Sequence, residues 1–361
     1  MPSDDVNEGD LCQIMYTSGT TGRPKGAVLT HSNILWNFIN TILGREDSGG
    51  GRAVIAGPLY HTAALNNHLT IQIAFGGTCI IMRKFEPESM LRIIQEERIT
   101  LVSGAPALFN MLLQYPDNNK FDTASVTKCT AGSEKLPMEV KERLLKFFPN
   151  TRGVYDVYGC TEASPCIAIV NAEDSLRKDG SVGMPLPFLD VRIIDETGRD
   201  LQTGEVGELI CKGPNVMKGY FGNSEGTAEA IRDGWLYTGD LAKMDEEGFI
   251  YIVDRKKDMI VSGGENIYPR ELEEVLLRHP DVLDVTVVGV SDPDWGESVK
   301  AFVVKKEDSS IDEEAVINFC KEHLASYKKP KYVSFISSIP RNPSGKALKR
   351  LLKEEDVKGV N

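Results

Sequence analysis

The sequence contains no apolar run that approaches the ~20 residues needed to span a membrane. Its first ten residues are acidic and polar and lack the apolar core of a signal peptide. Positive charge is also scarce relative to negative charge, because the chain has 41 Lys and Arg but 53 Asp and Glu, which gives a net charge of −12. Neutralising nucleic-acid phosphates requires a basic face, so this balance argues against a nucleic-acid partner.

Cysteine is sparse as well. The seven cysteines are odd in number, scattered, and include no C-x-x-C pair. This usage is typical of reduced thiols in a cytosolic compartment and argues against a disulfide framework or a zinc site. We therefore expect a soluble cytoplasmic protein, as a monomer or a homodimer, whose 361 residues form more than one domain.

Residues 16–26, Y-T-S-G-T-T-G-R-P-K-G, concentrate hydroxyl groups, glycines and one lysine. Glycines allow backbone N–H groups to turn toward an anion, and hydroxyls add donors. The candidate phosphate ligands are Thr17, Ser18, Gly19, Thr20, Thr21, Gly22 and Lys25. The common phosphate-loop pattern does not fit, because Arg23-Pro24 separates the glycine from the lysine. Chemistry alone leaves phosphate binding and a flexible connector both open.

Periodicity predicts an α/β fold. An apolar run from Leu11 to Tyr16 predicts a strand, so the loop is expected to leave the end of an open α/β sheet, where ligands bind. Residues 30–157 alternate helical and strand patterns, which indicates a parallel sheet with crossover helices. Residues 182–217 show short strands punctuated by glycine, which indicates a small β-barrel or folded sheet. A compact module of helices and strands follows over residues 259–361.

The loop at residues 16–26 resembles the signature loop of the adenylate-forming, or AMP-binding, superfamily, which includes the acyl-CoA synthetases. Further segments match that family in the same order: A-G-S-E-K-L-P at 131–137, D-V-Y-G-C-T-E at 156–162, G-W-L-Y-T-G-D at 234–240 and S-G-G-E-N-I-Y-P at 262–269. The chain is most similar to an acyl- or aryl-CoA ligase. Relatives carry a further section before this loop, so we expect this chain to lack an N-terminal section, which puts its activity alone in doubt.

The resemblance implies roles for individual residues. The expected adenine ligands are Gly132, Ser133, Glu134, Asp156, Tyr158 and Gly159. The ribose ligands would be Asp240 and Arg255, and the catalytic residues Thr161, Glu162 and Lys346, with Glu162 also holding Mg²⁺. His61 and Val157 would line the acyl pocket, although His61 is equally well explained as a helix cap. Gly263, Gly264 and Glu265 would line the CoA tunnel, and Lys257 would be the hinge.

The implied reaction uses ATP, Mg²⁺ and CoA to convert a fatty or aryl acid first to an acyl adenylate and then to a thioester. The implied domains are residues 1–253, with an αβ part at 1–180 and a β-rich part at 181–253, a hinge at 254–258 and a mobile C-terminal domain at 259–361. An adenylation domain that loads a carrier protein, a luciferase-like oxygenase and an inactive nucleotide-binding protein are the alternatives. Val157 favours aryl or shorter acids, unless other residues set the depth of the pocket.

Overall fold

The computed structural model describes residues 5–17, 24–341 and 347–359, with side chains as far as residue 354. The chain divides into two compact units. The first comprises residues 1–238 and 242–252, and the second comprises residues 239–241 and 253–361. Across the described ranges, no helix combines the length and the apolar character that a membrane crossing requires.

The strands, in chain order, are β1 (Leu11–Thr17), β2 (Lys25–Thr30), β3 (Arg52–Ile55), β4 (Thr78–Ile81), β5 (Leu101–Gly104), β6 (Lys128–Gly132), β7 (Val154–Gly159), β8 (Cys166–Val170), β9 (Met184–Pro185), β10 (Asp190–Ile194), β11 (Gly207–Lys212), β12 (Gly219–Tyr220), β13 (Ile231–Arg232), β14 (Trp235–Met244), β15 (Ile250–Arg255), β16 (Ile260–Ser262), β17 (Glu265–Ile267), β18 (Val282–Asp292), β19 (Gly296–Lys305) and β20 (Tyr332–Phe335).

The α-helices are α1 (His31–Arg45), α2 (Thr62–Ala64), α3 (Thr70–Ala74), α4 (Pro87–Glu96), α5 (Pro106–Gln114), α6 (Met138–Phe147), α7 (Asp174–Arg177), α8 (Ser224–Ala230), α9 (Pro269–Leu276), α10 (Glu313–His323) and α11 (Lys349–Gly359). A π-helical turn, Leu65–Leu69, joins α2 to α3.

The largest sheet has seven strands in the order β4-β3-β5-β6-β7-β8-β9. Neighbours from β4 to β7 are parallel, whereas β8 and β9 are antiparallel additions at one edge. The predicted parallel sheet is thus confirmed for five strands. Buried side chains of the sheet and its helices, such as Val102, Phe109 and Leu144, form one apolar core. The carboxyl ends of β6 and β7 therefore meet at the same edge of the sheet.

The strand that precedes the glycine-rich loop does not belong to this sheet. β1, β2 and β12 form a separate three-stranded antiparallel sheet in which β2 is central. The expectation that the loop leaves the end of the open α/β sheet is therefore wrong. An apolar run predicts a strand, but its pairing partner is decided by tertiary packing.

The β-rich region is built on the order β10-β11-β14-β13, with β15 paired to β14. This arrangement corresponds to the folded-sheet form of the prediction. Alternate residues along β10 and β11 point into a core that contains Ile193, Leu209 and Cys211.

The second unit carries a sheet in the order β17-β16-β19-β18, with β20 added parallel to β19. β18 and β19 form a long antiparallel hairpin. Helices α9 and α10 contribute Leu272, Val316 and Cys320 to its core, where they join Val287 and Val303 of the hairpin. This mixture of helices and antiparallel strands confirms the predicted α+β character of the C-terminal region.

Helix starts follow local chemistry. The Thr30 hydroxyl accepts the Asn33 N–H at 3.2 Å, and the Asn33 side chain accepts the Thr30 N–H at 2.9 Å, which is a capping box at the start of α1. Proline occupies the first position of α4, α5 and α9, where its missing N–H costs no helical hydrogen bond. Each of these starts carries a residue type that marks helix N-termini in a sequence.

Candidate functional site

The two ends of the glycine-rich loop lie opposite each other. Thr17 and Lys25 are Cα partners in the register of β1 and β2, and the Thr17 hydroxyl donates to the Lys25 carbonyl oxygen at 3.5 Å. The predicted phosphate ligands Ser18, Gly19, Thr20, Thr21 and Gly22 lie outside the described residues. The β1–β2 pairing thus fixes the backbone of Lys25 at one end of the predicted loop.

Tyr220 connects Lys25 to the predicted catalytic carboxylate. The Lys25 ammonium lies 5.1 Å from the centre of the Tyr220 ring, a cation–π distance, and its side chain is 15% exposed. The Tyr220 hydroxyl donates to Glu162 Oε1 at 2.7 Å. Lys25 also lies 4.0 Å from Glu229. Two residues that the sequence assigned separately to phosphate and to metal binding are therefore neighbours of one tyrosine.

Glu162 is held by its backbone as well as by its side chain. Thr161 and Glu162 belong to a short 3₁₀-helix, Thr161–Ala163, that follows β7. The Met217 N–H donates to the Glu162 carbonyl oxygen at 2.8 Å. Asn215, which is fully buried, donates to the carbonyl oxygens of Ala163 and Cys166 at 2.7 and 2.8 Å. These contacts anchor the carboxylate-bearing turn to the segment that leads into β12.

The predicted adenine-binding segments lie side by side. Gly132 and Val157 are partners in the parallel register of β6 and β7. A Cβ at Gly132 would lie 3.2 Å from the Val157 carbonyl oxygen, so glycine suits this close approach. The next residue, Ser133, has φ of +73°, a conformation uncommon outside glycine. Such backbone strain is typical of ligand sites.

The remaining adenine candidates differ in exposure. Ser133, Glu134 and Gly159 are exposed, whereas Tyr158 is half-buried. Tyr158 therefore presents part of its ring at the carboxyl end of β7, next to the Gly132 turn. The structure brings these residues together at one sheet edge, and their contact with adenine stays a prediction.

Asp156 forms a buried ion pair that the sequence did not reveal. Its Oδ2 lies 2.5 Å from the ammonium of Lys141, whose side chain is 1% exposed. Lys141 also donates to the Ser175 carbonyl oxygen at 3.1 Å. Burial raises the pKa of Asp156, and the Lys141 charge and hydrogen bond oppose that rise. The helical spacing of α6 places Lys141 on its buried face, but no local signal names its partner.

His61 behaves locally as a helix cap. Its Nδ1 accepts the Ala63 N–H at 3.3 Å, at the start of α2. The π-helical turn Leu65–Leu69 follows at once, and such turns occur frequently at functional sites. Val157, the other acyl-pocket candidate, is half-buried beside Gly132. The cap contact accounts for His61 structurally and leaves its role in the acyl pocket as a prediction.

The two predicted ribose ligands contact each other within the second unit. Arg255 Nη1 lies 2.8 Å from Asp240 Oδ1, and the Asp240 side chain is 7% exposed against 40% for Arg255. The neighbouring Asp254 accepts the Arg255 N–H at 2.7 Å and the Arg270 N–H at 2.9 Å. A buried carboxylate paired with a half-exposed guanidinium retains acceptor capacity for hydroxyl groups.

The predicted tunnel loop is the turn between β16 and β17. Gly263 has φ of +59°, and a Cβ there would lie 2.5 Å from the Trp295 ring. The Gly263 N–H donates to the Trp295 carbonyl oxygen at 2.9 Å. Trp295 is 56% exposed and was missed in the sequence. An aromatic residue in the turn D-P-D-W-G at 292–296 was the available signal. Gly264 and Glu265 are exposed beside it.

The two remaining candidates have different standing. Lys257 is exposed and lies in a single 3₁₀ turn, Lys256–Asp258, which begins three residues after Val253, where the second unit resumes. Short 3₁₀ turns are common as connectors. Lys346 lies outside the described residues. The hinge and the domain boundaries stay predictions.

Comparison with known proteins identifies the family. The AMP-binding enzyme model matches residues 1–221, and the AMP-binding enzyme C-terminal domain model matches residues 271–346. Feruloyl-CoA synthase of Amycolatopsis sp. is 42% identical over 95% of this chain and 70% of that protein. A long-chain-fatty-acid–CoA ligase of Bacillus subtilis (strain 168) is 43% identical over 97% of this chain and 62% of that protein.

A solved structure agrees with these matches. ATP-bound MatB from Rhodopseudomonas palustris superposes with a TM-score of 0.89 at 35% identity, over 98% of this chain and 70% of that chain. The chain thus spans roughly two thirds of the length of its relatives, 62% and 70% for the two enzymes above. Family models, sequence relatives and a solved structure agree, and the chain belongs to the AMP-binding enzyme family.

Proposed function

We propose that the chain is an ATP-dependent carboxylic acid:CoA ligase that forms an acyl adenylate and then a thioester. The observation that carries this proposal is the Tyr220-centred contact. It places a lysine beside the predicted phosphate loop and a carboxylate within 2.7 Å of the same tyrosine hydroxyl. A positive charge for phosphate oxygens next to a hard oxygen ligand for a cation is what nucleotide activation requires.

In the first half-reaction, an oxygen of the substrate carboxylate attacks the α-phosphorus of ATP, and the bond to the bridging oxygen breaks to release pyrophosphate. Lys25 binds phosphate oxygens, and the Thr17 hydroxyl steadies it by donating to the Lys25 carbonyl oxygen. Asp240 and Arg255 bind the ribose, while Tyr158 stacks on adenine. Lys346 neutralises charge that develops between the carboxylate and the α-phosphate. Positioning and electrostatics carry the catalysis, and no nucleophilic side chain is required.

The residues present fit Mg²⁺ bound together with nucleotide phosphates. Mg²⁺ is usually held by one or two carboxylates plus substrate phosphates. Glu162 supplies one such carboxylate, oriented by Tyr220. Within the described ranges, no group of three or more His, Cys, Asp or Glu forms a cage. When bound, Mg²⁺ neutralises phosphate charge, and Glu162 is the residue that would hold it.

In the second half-reaction, the thiol of CoA attacks the carbonyl carbon of the mixed anhydride, and AMP leaves. Gly263 and Gly264 allow a narrow ligand to approach the backbone, and the exposed Trp295 ring forms a wall beside them. Lys257 is the hinge in this proposal, and the domain boundaries remain those predicted, at 253 and 259. We place the protein in the cytoplasm, since each of its seven cysteines is a free thiol.

The proposed substrate is an aryl or shorter acid. Val157 is the register partner of Gly132, and in this proposal its branched side chain shortens the acyl pocket. The named activities of two relatives, feruloyl-CoA synthase and long-chain-fatty-acid–CoA ligase, differ in the acid that they use. The alternative that loads a carrier protein finds no counterpart in these names.

A panel of carboxylic acids tests the proposal. The chain is incubated with each acid, ATP and Mg²⁺, and pyrophosphate exchange is measured with and without CoA. Acid-dependent exchange followed by CoA-dependent thioester formation is expected. Exchange without any CoA-dependent product would instead support a carrier-loading adenylation domain. No acid-dependent exchange with any acid would contradict enzyme activity of this chain.

A further inference from the structure

The buried ion pair between Lys141 and Asp156 lies next to the predicted adenine-binding residues. Asp156 is two residues before Tyr158 on β7, and Ala131, its parallel partner on β6, directly precedes Gly132. Lys141 lies on α6, and its side chain, which is 1% exposed, reaches Asp156 on β7. The pair therefore lies directly beneath the edge where the predicted adenine ligands end.

The contact leaves the carboxylate oriented. Lys141 engages Oδ2, while the Asp156 side chain keeps 13% of its surface exposed. The same ammonium donates to the Ser175 carbonyl oxygen, so its position is fixed from two elements. Because Lys141 holds Oδ2, Oδ1 is the oxygen that we assign to the ligand. An ionised carboxylate is acceptor-only, which suits an amino group and repels a carbonyl.

Protonation decides which ligand this carboxyl group prefers. Burial raises the pKa of Asp156, the Lys141 charge and hydrogen bond lower it, and Asp179 raises it further. Cys129 on β6 also faces this carboxyl group, and burial keeps its thiol protonated by raising its pKa. Removal of the Lys141 charge leaves only influences that favour the protonated acid. A protonated Asp156 gains an O–H donor and would accept a carbonyl at the same place.

We propose that Lys141 is a positioning residue for nucleobase selection, which orients the Asp156 carboxylate so that it accepts the adenine amino group and rejects a purine with a carbonyl there. This inference rests on the proposed nucleotide site but not on the identity of the acid or the thiol. It distinguishes Lys141 from a lysine that only stabilises the fold.

ATP and ITP are the probes, because inosine carries a carbonyl where adenine carries the amino group. Calorimetry of the full chain with Mg²⁺ and each nucleotide gives their ratio of affinities. In Lys141→Met the ATP:ITP ratio should fall by at least about tenfold, the scale of one hydrogen bond to a charged group. Lys141→Met/Asp156→Asn should keep the low ratio, because the amide both accepts and donates, and it leaves no buried charge unpaired.

Lys128→Met is the matched control. Lys128 is ion-paired to Asp47 at 2.7 Å and begins β6, whereas Gly132 ends it. The Lys128→Met variant loses a comparable ion pair at the end of the sheet where β6 begins. It should keep the wild-type ATP:ITP ratio of affinities. If Lys141→Met does not fold by circular dichroism, Lys141→Gln removes the charge while keeping a donor, and the same fall is expected.

An unchanged ATP:ITP ratio in folded Lys141→Met or Lys141→Gln would overturn the positioning role, as would an equal fall in Lys128→Met. Wild-type chain that binds ATP and ITP equally would also overturn it. The proposed function is tested separately, because its failure would appear as an absence of acid-dependent pyrophosphate exchange. The effect of Lys141 on nucleotide preference is measured by calorimetry without any acid or CoA.

Discussion

The hydroxyl of Tyr220 lies 2.7 Å from Glu162 Oε1, while the ring of the same tyrosine lies 5.1 Å from the Lys25 ammonium. The two contacts use different parts of one side chain. The hydroxyl orients a carboxylate, and the face of the ring attracts a cation. A substitution that removes only the hydroxyl therefore separates the two roles.

Tyr220→Phe should lower the rate of acid-dependent pyrophosphate exchange by about 3- to 10-fold, because one hydrogen bond to the metal-binding carboxylate is lost. The ring over Lys25 is kept, so ATP affinity should change little. Tyr251→Phe is the matched control, since Tyr251 donates to Asp245 at 3.2 Å outside the predicted site. Equal rates in wild type and Tyr220→Phe would mean that this hydrogen bond has no part in catalysis.

Asp240→Asn should weaken ATP binding by about 10- to 100-fold if the carboxylate accepts the ribose hydroxyls, since hydrogen bonds to charged groups are the strong ones. Affinity for 2′,3′-dideoxy-ATP, which lacks both hydroxyls, should be nearly the same in both proteins. Calorimetry with the two nucleotides gives the comparison. If both affinities fall together, Asp240 serves mainly to hold Arg255, to which it is ion-paired at 2.8 Å.

The sequence predicted features that depend on near neighbours in the chain. Thr30 and Asn33, which cap α1, are three residues apart. The helices that begin at Pro87, Pro106 and Pro269 are indicated by the proline itself. Such signals are local because caps and first turns are decided within a few residues.

Features that depend on distant partners could not be predicted in this way. The pairing of β1 with β2 and β12 joins Val28 to Gly219 and needs the whole first unit to fold. Lys141 could be placed on the buried face of α6, but its partner on β7 depends on how helix and sheet pack. The contacts of Tyr220 with Lys25 and Glu162 span much of the chain, so no local signal points to them.

Acid should selectively remove the contribution of Asp292 to stability. Hydrogen bonds from Lys331 at 2.6 Å and Ser298 at 2.5 Å lower the pKa of Asp292 below its usual range. A lowered folded-state pKa means that the contribution is complete above the unfolded-state pKa of about 3.9. It is lost as the pH falls from there through the folded-state value.

Urea unfolding of wild type and Asp292→Asn, followed by tryptophan fluorescence, measures this contribution. Wild type should be the more stable at pH 7, and the gap should close as the pH is lowered below about 4. The backbone N–H of Trp295 donates to Asp292 Oδ1 at 3.2 Å, so its indole ring is a nearby reporter. A gap that is as large at pH 3 as at pH 7 would show that the ionised carboxylate is not its source.

Trp295→Ala should separate the two half-reactions. The ring is 56% exposed, so truncation uncovers little buried core, and the hydrogen bond from the Gly263 N–H uses the Trp295 backbone and survives. What is lost is an aromatic wall beside the predicted tunnel. The KM for CoA in thioester formation should rise by about tenfold, the order of one to two aromatic contacts. Pyrophosphate exchange, which does not involve CoA, should stay within about twofold of wild type.

Trp295→Phe keeps an aromatic face over Gly263 and should recover most of the affinity for CoA. If Trp295→Ala instead slowed both half-reactions equally, the ring would be holding the β16–β17 turn in shape, and the tunnel would have to be sought elsewhere on the second unit.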